Sequence, residues 1–264
     1  VTDDAARAYL AVRWREQLAG WAIPEELTRA VAAEPFALDP AIFAPHFDAP
    51  LTPTQAAILE LAGEDRQASV LDVGAGRGAT VLPIADRLGS VLALDQRADM
   101  LEALAVDSER IPSVIVETRV GEFLALEPEL GSFDVVTSQH MVYNVPDLFG
   151  YLEGLLRHAR RGVVLEMTAK HPFAGLDLLF WHFHRLERPV GPTVADVLQA
   201  LRVLGCAPRI AIAPDRPGDP ARRLASTRQR LALPKEREPE LAELLAVGYW
   251  LPNPSVTVVV ADGD

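Results

Sequence analysis

The sequence predicts an α/β fold in which a mostly parallel sheet is doubly wound, with helices on both faces. Two observations carry this. From residue 68 onward, short apolar runs bounded by turn residues alternate with segments of helical periodicity. The first of these runs, ASVLDV (68–73), passes directly into a glycine-rich turn, Gly74 to Gly78, and then into a second apolar-periodic segment. In such sheets ligands sit beyond the carboxyl ends of the strands.

The elements follow in order. Over 4–19, Leu10, Trp14 and Leu18 recur at i, i+4 and i+8, the stripe of an amphipathic helix. A short helix opens after Ile23, where Pro24 suits the first helical position and Glu25 and Glu26 suit the positive end of the dipole. The Pro- and Phe-rich stretch 34–53 reads as an irregular packed connector, and Thr52-Pro53 as an N-cap and first turn of a helix to about Leu61. Residues 1–64 are therefore expected to form a helical cap, and 65–264 the sheet domain. Within the sheet domain, strands are expected at 68–73, 90–95, 113–117, 133–138 and 162–167. A helix is expected through Val81, Ile84, Ala85 and Leu88, capped by Gly89, another at 97–105, and a third over 146–160 with Arg157, His158, Arg160 and Arg161 near its negative end. After residue 170 the pattern loosens into helices at 172–187, 193–204, 219–231 and 237–246, with strands at 208–213 and 255–262 pairing antiparallel at one edge. The stretch 171–205 reads as a helical insertion and a candidate substrate wall.

Composition narrows the function. The 264 residues are 49% hydrophobic and 23% charged, ample for one elaborated domain or two smaller ones. The net charge of −12 argues against DNA binding; the one basic stretch, Arg222, Arg223, Arg228 and Arg230 with Lys235 and Arg237, reads by default as a solvated helix face, with binding of an anionic substrate or RNA as the alternative. A single cysteine, Cys206, suits a reducing compartment, and the acidic start VTDDAARAYL lacks the apolar core of a secretory leader, so the expectation is a cytoplasmic protein without a membrane span. His182 and His184, two apart on an expected helix, point in different directions, so no metal site is expected.

Chemistry concentrates at successive strand ends. Gly74, Ala75 and Gly76 make the tight turn that lets backbone approach a ligand; the looser pattern Gly74, Gly76, Ala79 also fits a dinucleotide turn. Asp72, two residues earlier, discriminates: at roughly 5 Å and an effective dielectric near 20 it would repel a phosphate charge by about 3 kcal/mol, and attract an ammonium or sulfonium. Asp95, followed by Gln96, ends the second strand, where a carboxylate accepts from ribose hydroxyls. Gly121, Glu122 and Phe123 follow the third strand, an acid for an adenine amino group and a ring for its face.

Taken in order and spacing, Asp72-x-Gly74-x-Gly76-x-Gly78, Asp95, Gly121-Glu122 and the strand FDVV (133–136) resemble the class I S-adenosylmethionine-dependent methyltransferases over roughly residues 65–168. The resemblance implies a Rossmann-like seven-stranded sheet in the order 3-2-1-4-5-7-6. It also implies S-adenosylmethionine as cofactor, with Gly74 and Gly76 under the methionine portion, Asp72 at its amino end, Asp95 at the ribose and Glu122 with Phe123 around the adenine. Ser138 and Gln139 would approach the reactive end. The segment SQHMVYN after the fourth strand departs from the Asn/Asp-Pro-Pro-aromatic motif of enzymes that methylate base or amide nitrogens, which points to a small-molecule acceptor. In that loop His140 is the candidate base, since imidazole titrates near neutrality, and Tyr143 and Asn144 are candidate orienting groups. His171 reads as a plain loop histidine. Two rival readings stand beside this one, an NAD(P)-binding oxidoreductase and a non-catalytic cofactor-binding protein of the same fold.

Overall fold

Seven strands form one sheet in the order β3-β2-β1-β4-β5-β7-β6. The strands are β1 (Ser69–Val73), β2 (Ser90–Asp95), β3 (Ile115–Val120), β4 (Phe133–Gln139), β5 (Ala159–Thr168), β6 (Arg209–Ile212) and β7 (Ser255–Ala261). β1 to β5 run parallel, whereas β7 lies antiparallel between β5 and β6. The computed structural model describes residues 3–31, 43–64, 66–213 and 220–261. Residues 34–42 of the expected connector lie outside them, as do Asp219 and Asp262 at the ends of an expected helix and strand.

β1 stands between β2 and β4, so the chain leaves it toward one side and later returns on the other. That reversal opens a crevice at the carboxyl ends of β1 and β4. One face of the sheet packs Leu71, Val136, Leu165 and Val258 against α6 (Leu148–His158), α8 (Val194–Val203) and α1 (Asp3–Ala19). The other packs Val70, Val135, Val164 and Val259 against Ile58 and Ala62 of α3 (Pro53–Ala62). Thr52 and Gln55 close a capping box at the start of α3, as Thr52-Pro53 foretold. α3, within the stretch expected as a cap, is core to this face. α1 is tied to the body by an Arg7–Glu153 ion pair and by Trp14, whose indole N–H donates to the Val145 carbonyl at 2.8 Å. α2 (Glu25–Val31) follows it.

Several expected elements take a different form. The segment after the glycines is a 3₁₀ turn, Leu82–Arg87, and not an α-helix. Its residues are buried on two sides, Val81, Ile84 and Leu88 in one cluster and Leu82 and Ala85 in another, so no single stripe dictates the α period. Gly89 caps nothing in a left-handed conformation; a β-carbon there would lie 2.5 Å from the Gln67 carbonyl oxygen, so glycine permits two backbones to touch. β3 is shifted toward Val120 relative to 113–117, because pairing with β2 from Ser90↔Ile115 to Asp95↔Val120 sets its limits and an edge strand tolerates Glu117 and Arg119. α6 ends at His158 and β5 begins at once, so Arg160 and Arg161 lie on the strand. The remaining helices are α4 (Ala98–Ser108), the short α5 (Phe123–Leu126), α7 (Asp177–His184), α9 (Pro220–Arg230) and α10 (Glu238–Ala246). No described helix is long and apolar enough to cross a membrane.

Arg160 and Arg161 instead converge on Asp134, at 3.2 and 3.3 Å. Asp134 Oδ2 also accepts from the Ser69 backbone N–H at 2.8 Å and from its hydroxyl at 3.0 Å, clamping the first residues of β1, β4 and β5. Burial alone would raise this carboxyl, but the Arg160 and Ser69 hydrogen bonds outweigh it and hold the pKa at about 2. A depressed acid stabilises the fold above its unfolded pKa and ceases to as pH falls through the folded one. Asp134→Asn is therefore expected to cost about 1–2 kcal/mol at neutral pH, a penalty that fades between about pH 4 and 2, read from thermal midpoints across pH.

Candidate functional site

The glycine turn is held open by hydrogen bonds to β2. The N–H groups of Gly74 and Ala75 both donate to the Leu94 carbonyl, at 2.8 and 3.0 Å. Gly74 and Gly76 have φ of +74° and +53°, in the left-handed region that side chains resist. Asp95, at the end of β2, is buried and accepts from the Gly76 N–H at 2.8 Å through Oδ2 and from the Arg97 N–H at 2.9 Å through Oδ1. The acid expected at a ribose is thus also the anchor of the turn. Gly74 is glycine for a second reason: a β-carbon would lie 2.0 Å from Cγ of Met141, which covers the turn from the loop after β4.

A narrow cleft of about 420 Å³ opens beside this turn. It brings together six of the residues singled out in the sequence, Gly74, Asp95, Gln96, Gly121, Glu122 and Phe123, and adds Met141, Asn144 and Tyr151, which sequence reasoning had not assigned to it. Phe123 reaches the cleft while packing edge-on against Tyr151, ring centroids 5.5 Å apart. Ala75 and Gly76 shape the turn without lining the cleft. Asp72 lies one residue beneath the lining, 1% exposed, and neither carboxylate oxygen has a hydrogen-bond partner, so it does not cap local backbone. Burial, and then the neighbouring Asp95 carboxylate, push its pKa up to about 8. Ser138 and Gln139 line neither this cleft nor the next. Ser138 is buried, donates to the Val73 carbonyl at 2.9 Å and shares a 2.6 Å hydrogen bond with the Tyr151 hydroxyl, while Gln139 donates to the Thr137 hydroxyl. β4 alternates its side chains, so Ser138 is drawn into the packing against α6 while Gln139 lies on the opposite face beside Thr137.

A wider cleft, about 1700 Å³, adjoins the first, and Asn144 lines both. His140 stands at its edge with a left-handed φ of +55°; its backbone N–H donates to the Glu166 carbonyl at 2.7 Å. Its Nε2 lies 3.3 Å from the Glu166 carboxylate. Burial would raise Glu166, but its bonds to His140, Thr54 and Ser255 bring it below the usual range, so it is ionised at neutral pH. Glu166 was missed; the signal available was a carboxylate within the apolar strand GVVLEM. Tyr143 lines the cleft, but its hydroxyl donates to the Thr168 carbonyl at 2.5 Å and is not free to handle a proton. Burial raises its pKa further from neutrality.

His171 is no plain loop residue. It is buried, stacks on Trp21 with centroids 4.2 Å apart, and is pushed down to about pKa 3 by burial and by Arg188, so it is neutral. Of the stretch 171–205, His171, Pro172, Phe173 and Gly175 line the wide cleft, joined by Trp21, Trp250 and Arg230. Further along, Phe180 and Phe183 pack into the same core cluster as Trp21 and Phe173, and Trp181 is exposed. His182 pairs with Glu240 at 2.8 Å and His184 with the Leu231 carbonyl at 2.6 Å. Among the described residues no group of three or more His, Cys, Asp or Glu could hold a metal.

A glycine turn beyond the first strand, an acid closing the second and a cleft at the crevice of a doubly wound sheet define a Rossmann-like protein with a candidate nucleoside site. Residues 70–162 match a family model described as a methyltransferase domain. Nocamycin O-methyltransferase of Saccharothrix syringae is 33% identical over 162 residues, 60% of this chain and 56% of that protein. Demethylmenaquinone methyltransferase of Lactococcus lactis is 31% identical over 108 residues, 39% of this chain and 43% of that protein. The chain thus spans about half the length of these curated relatives. Magnesium protoporphyrin IX methyltransferase from Synechocystis, solved with bound S-adenosylhomocysteine, shares the fold with a TM-score of 0.53 at 15% identity, covering 79% of this chain and 82% of that one. Over residues 70–162 the chain is thus similar to methyltransferase domains, and the sheet around that segment has the fold of a solved methyltransferase.

The turn makes a graded prediction. Gly76 has open space around it, so Gly76→Ala should cost only its backbone strain, about 1–2 kcal/mol. Gly74→Ala must also displace Met141 and should cost about 2–4 kcal/mol and block nucleoside binding, as read by denaturant unfolding and ligand titration.

Proposed function

We propose that this chain transfers a methyl group from S-adenosylmethionine to a small-molecule acceptor held in the wide cleft. The observation that carries the reading is that the narrow, acid-edged cleft and the wide aromatic one meet at Asn144, which lines both. The names of both curated relatives specify small-molecule acceptors, nocamycin and demethylmenaquinone, which agrees with a cleft of this size.

The residues fit the cofactor chemically. Asp72 is a buried acid with no hydrogen-bond partner among the described residues; an ammonium group would favour its ionisation and pair with it, whereas a dinucleotide phosphate would oppose that ionisation. Asp95 spends one lone pair per oxygen on backbone N–H groups and keeps others for ribose hydroxyls. Glu122 and Phe123 flank the position for the adenine. When bound, S-adenosylmethionine supplies a methyl carbon on a sulfonium that departs as a neutral thioether. The protein's remaining tasks are alignment, exclusion of water and removal of a proton. With Nε2 of His140 turned to Glu166, Nδ1 is the ring nitrogen left to take the proton of an acceptor hydroxyl. Glu166, itself held by Thr54 at 2.5 Å, fixes the imidazole and stabilises the imidazolium that forms, so it is a positioning residue.

Calorimetry with S-adenosylhomocysteine tests the reading. Asp72, near pKa 8 in the free protein, is protonated at pH 7; an ammonium placed against it favours ionisation, so binding should release close to one proton. Asp72→Asn should abolish that release, and NADH should not bind. Tight NADH binding with none for S-adenosylhomocysteine would overturn the proposal. His140→Ala should lower turnover about 10²- to 10⁴-fold, followed as S-adenosylhomocysteine release with hydroxylated aromatic acceptors, and Glu166→Gln by less, both with cofactor affinity intact. An unchanged rate in His140→Ala would remove the base.

A further inference from the structure

The wide cleft holds a guanidinium that makes no ion pair among the described residues. Arg230, the last residue of α9, lines it and lies over the ring of Phe173, 5.4 Å from the guanidinium carbon to the centroid. Its Nε is buried and has no hydrogen-bond partner, and no ion pair forms to it among the described residues. Its neighbours on the same helix are engaged otherwise. Arg228 donates to the Leu233 carbonyl at 3.1 Å and pairs with Glu238 at 3.2 Å, and Arg223 lies over Trp250. The expectation of a solvated basic face therefore fails for Arg230.

Burial lowers the Arg230 pKa but leaves a guanidinium charged at any physiological pH. Taking such a charge from water without a partner is unfavourable, and an anion delivered by a ligand would relieve it. The other titratable groups around the cleft do not answer it. His171 is neutral, Glu166 is committed to His140 and Thr54, and the Asp177 carboxyl, pushed up to about 6 by burial, makes no ion pair with Arg230 among the described residues. Arg188, beyond Trp21, adds positive charge to the same side and places Nη1 on the Gly20 and Ala22 carbonyls.

The position matters as much as the charge. Tyr143 packs edge-on to His171, His171 to Phe173, and Phe173 meets Arg230, with successive separations of 5.6, 5.5 and 5.4 Å. Two rings thus separate Arg230 from the loop that carries His140 and Asn144. Resting on the methyltransferase reading above, we infer that the acceptor is an elongated, flat organic acid, its anionic group paired with Arg230 and its methylated oxygen at the His140 end. Trp21, Phe173 and Trp250 supply flat apolar area between.

Two fluorescent probes of similar shape test this with S-adenosylhomocysteine saturating: anionic 8-anilinonaphthalene-1-sulfonate and uncharged N-phenyl-1-naphthylamine. The anion should bind about ten- to a hundredfold more tightly, as a charge-assisted pair predicts. Arg230→Gln should erase most of that preference while leaving the neutral probe and S-adenosylhomocysteine unaffected, and Arg230→Lys should restore part of it. Equal binding of the two probes by the wild-type protein, or an anion preference that survives in Arg230→Gln, overturns the inference. Should Arg230→Gln not fold, the wild-type preference at low and high salt decides: it falls with salt if the guanidinium carries it, and a salt-independent preference overturns the inference. Failure of the wild-type protein to bind S-adenosylhomocysteine would strike the methyltransferase reading instead, since the probe comparison stands without it.

Discussion

The site depends on one carboxylate. Asp95 takes backbone hydrogen bonds from Gly76 and from Arg97, fastening the glycine turn of one strand to the end of the next. Without that clamp, backbone at left-handed φ has little to hold it, since glycine loses more conformational freedom on ordering than any other residue. With it, the turn is rigid enough to present an edge of backbone to a ligand. The same carboxylate faces the narrow cleft, so the group that builds the turn is also placed to read what binds beside it.

Among the described residues, each cleft has beside it a buried ionisable group with polar atoms left unpartnered. Asp72 sits beneath the narrow one and Arg230 lines the wide one, and both have buried polar atoms that meet no acceptor or donor. Asp177 and Arg188 also carry such atoms, whereas other charges are paired, as Asp134 with Arg160 and Arg161, or Glu127 with Arg157 and His158. Unpaired charges at concave sites lower the stability of the free protein and raise its affinity for complementary ligands. Their opposite signs suit two different molecules, one cationic and one anionic.

Between the clefts, His140 is held by a line of contacts that crosses the sheet. Glu166 on β5 meets the imidazole, Thr54 on α3 meets Glu166, and the Thr54 and Thr257 hydroxyls are 2.8 Å apart, which brings in β7. The helix assigned from sequence to a cap is thus part of the support behind the candidate base. An imidazole fixed this way has one nitrogen committed and one available, the arrangement proton transfer requires.

The sequence by itself determined the strand–helix alternation, the glycine turn and the acids at the ends of the first two strands. These are local: a strand's period, a glycine's φ and a residue's place relative to a strand end are encoded within a few positions. From them came the parallel sheet, and through the family resemblance its strand order and most of the narrow cleft. Only the tertiary structure decided that Ser138 turns into the core while Met141 covers Gly74, that Tyr143 spends its hydroxyl on β5, and that Glu166 stands behind His140. It also decided that Arg230 leaves a basic helix face for an aromatic cleft 90 residues from His140 in sequence. Partners so far apart along the chain meet only when the packed sheet brings their elements together, and no local period records which face of a loop or helix end will be turned inward.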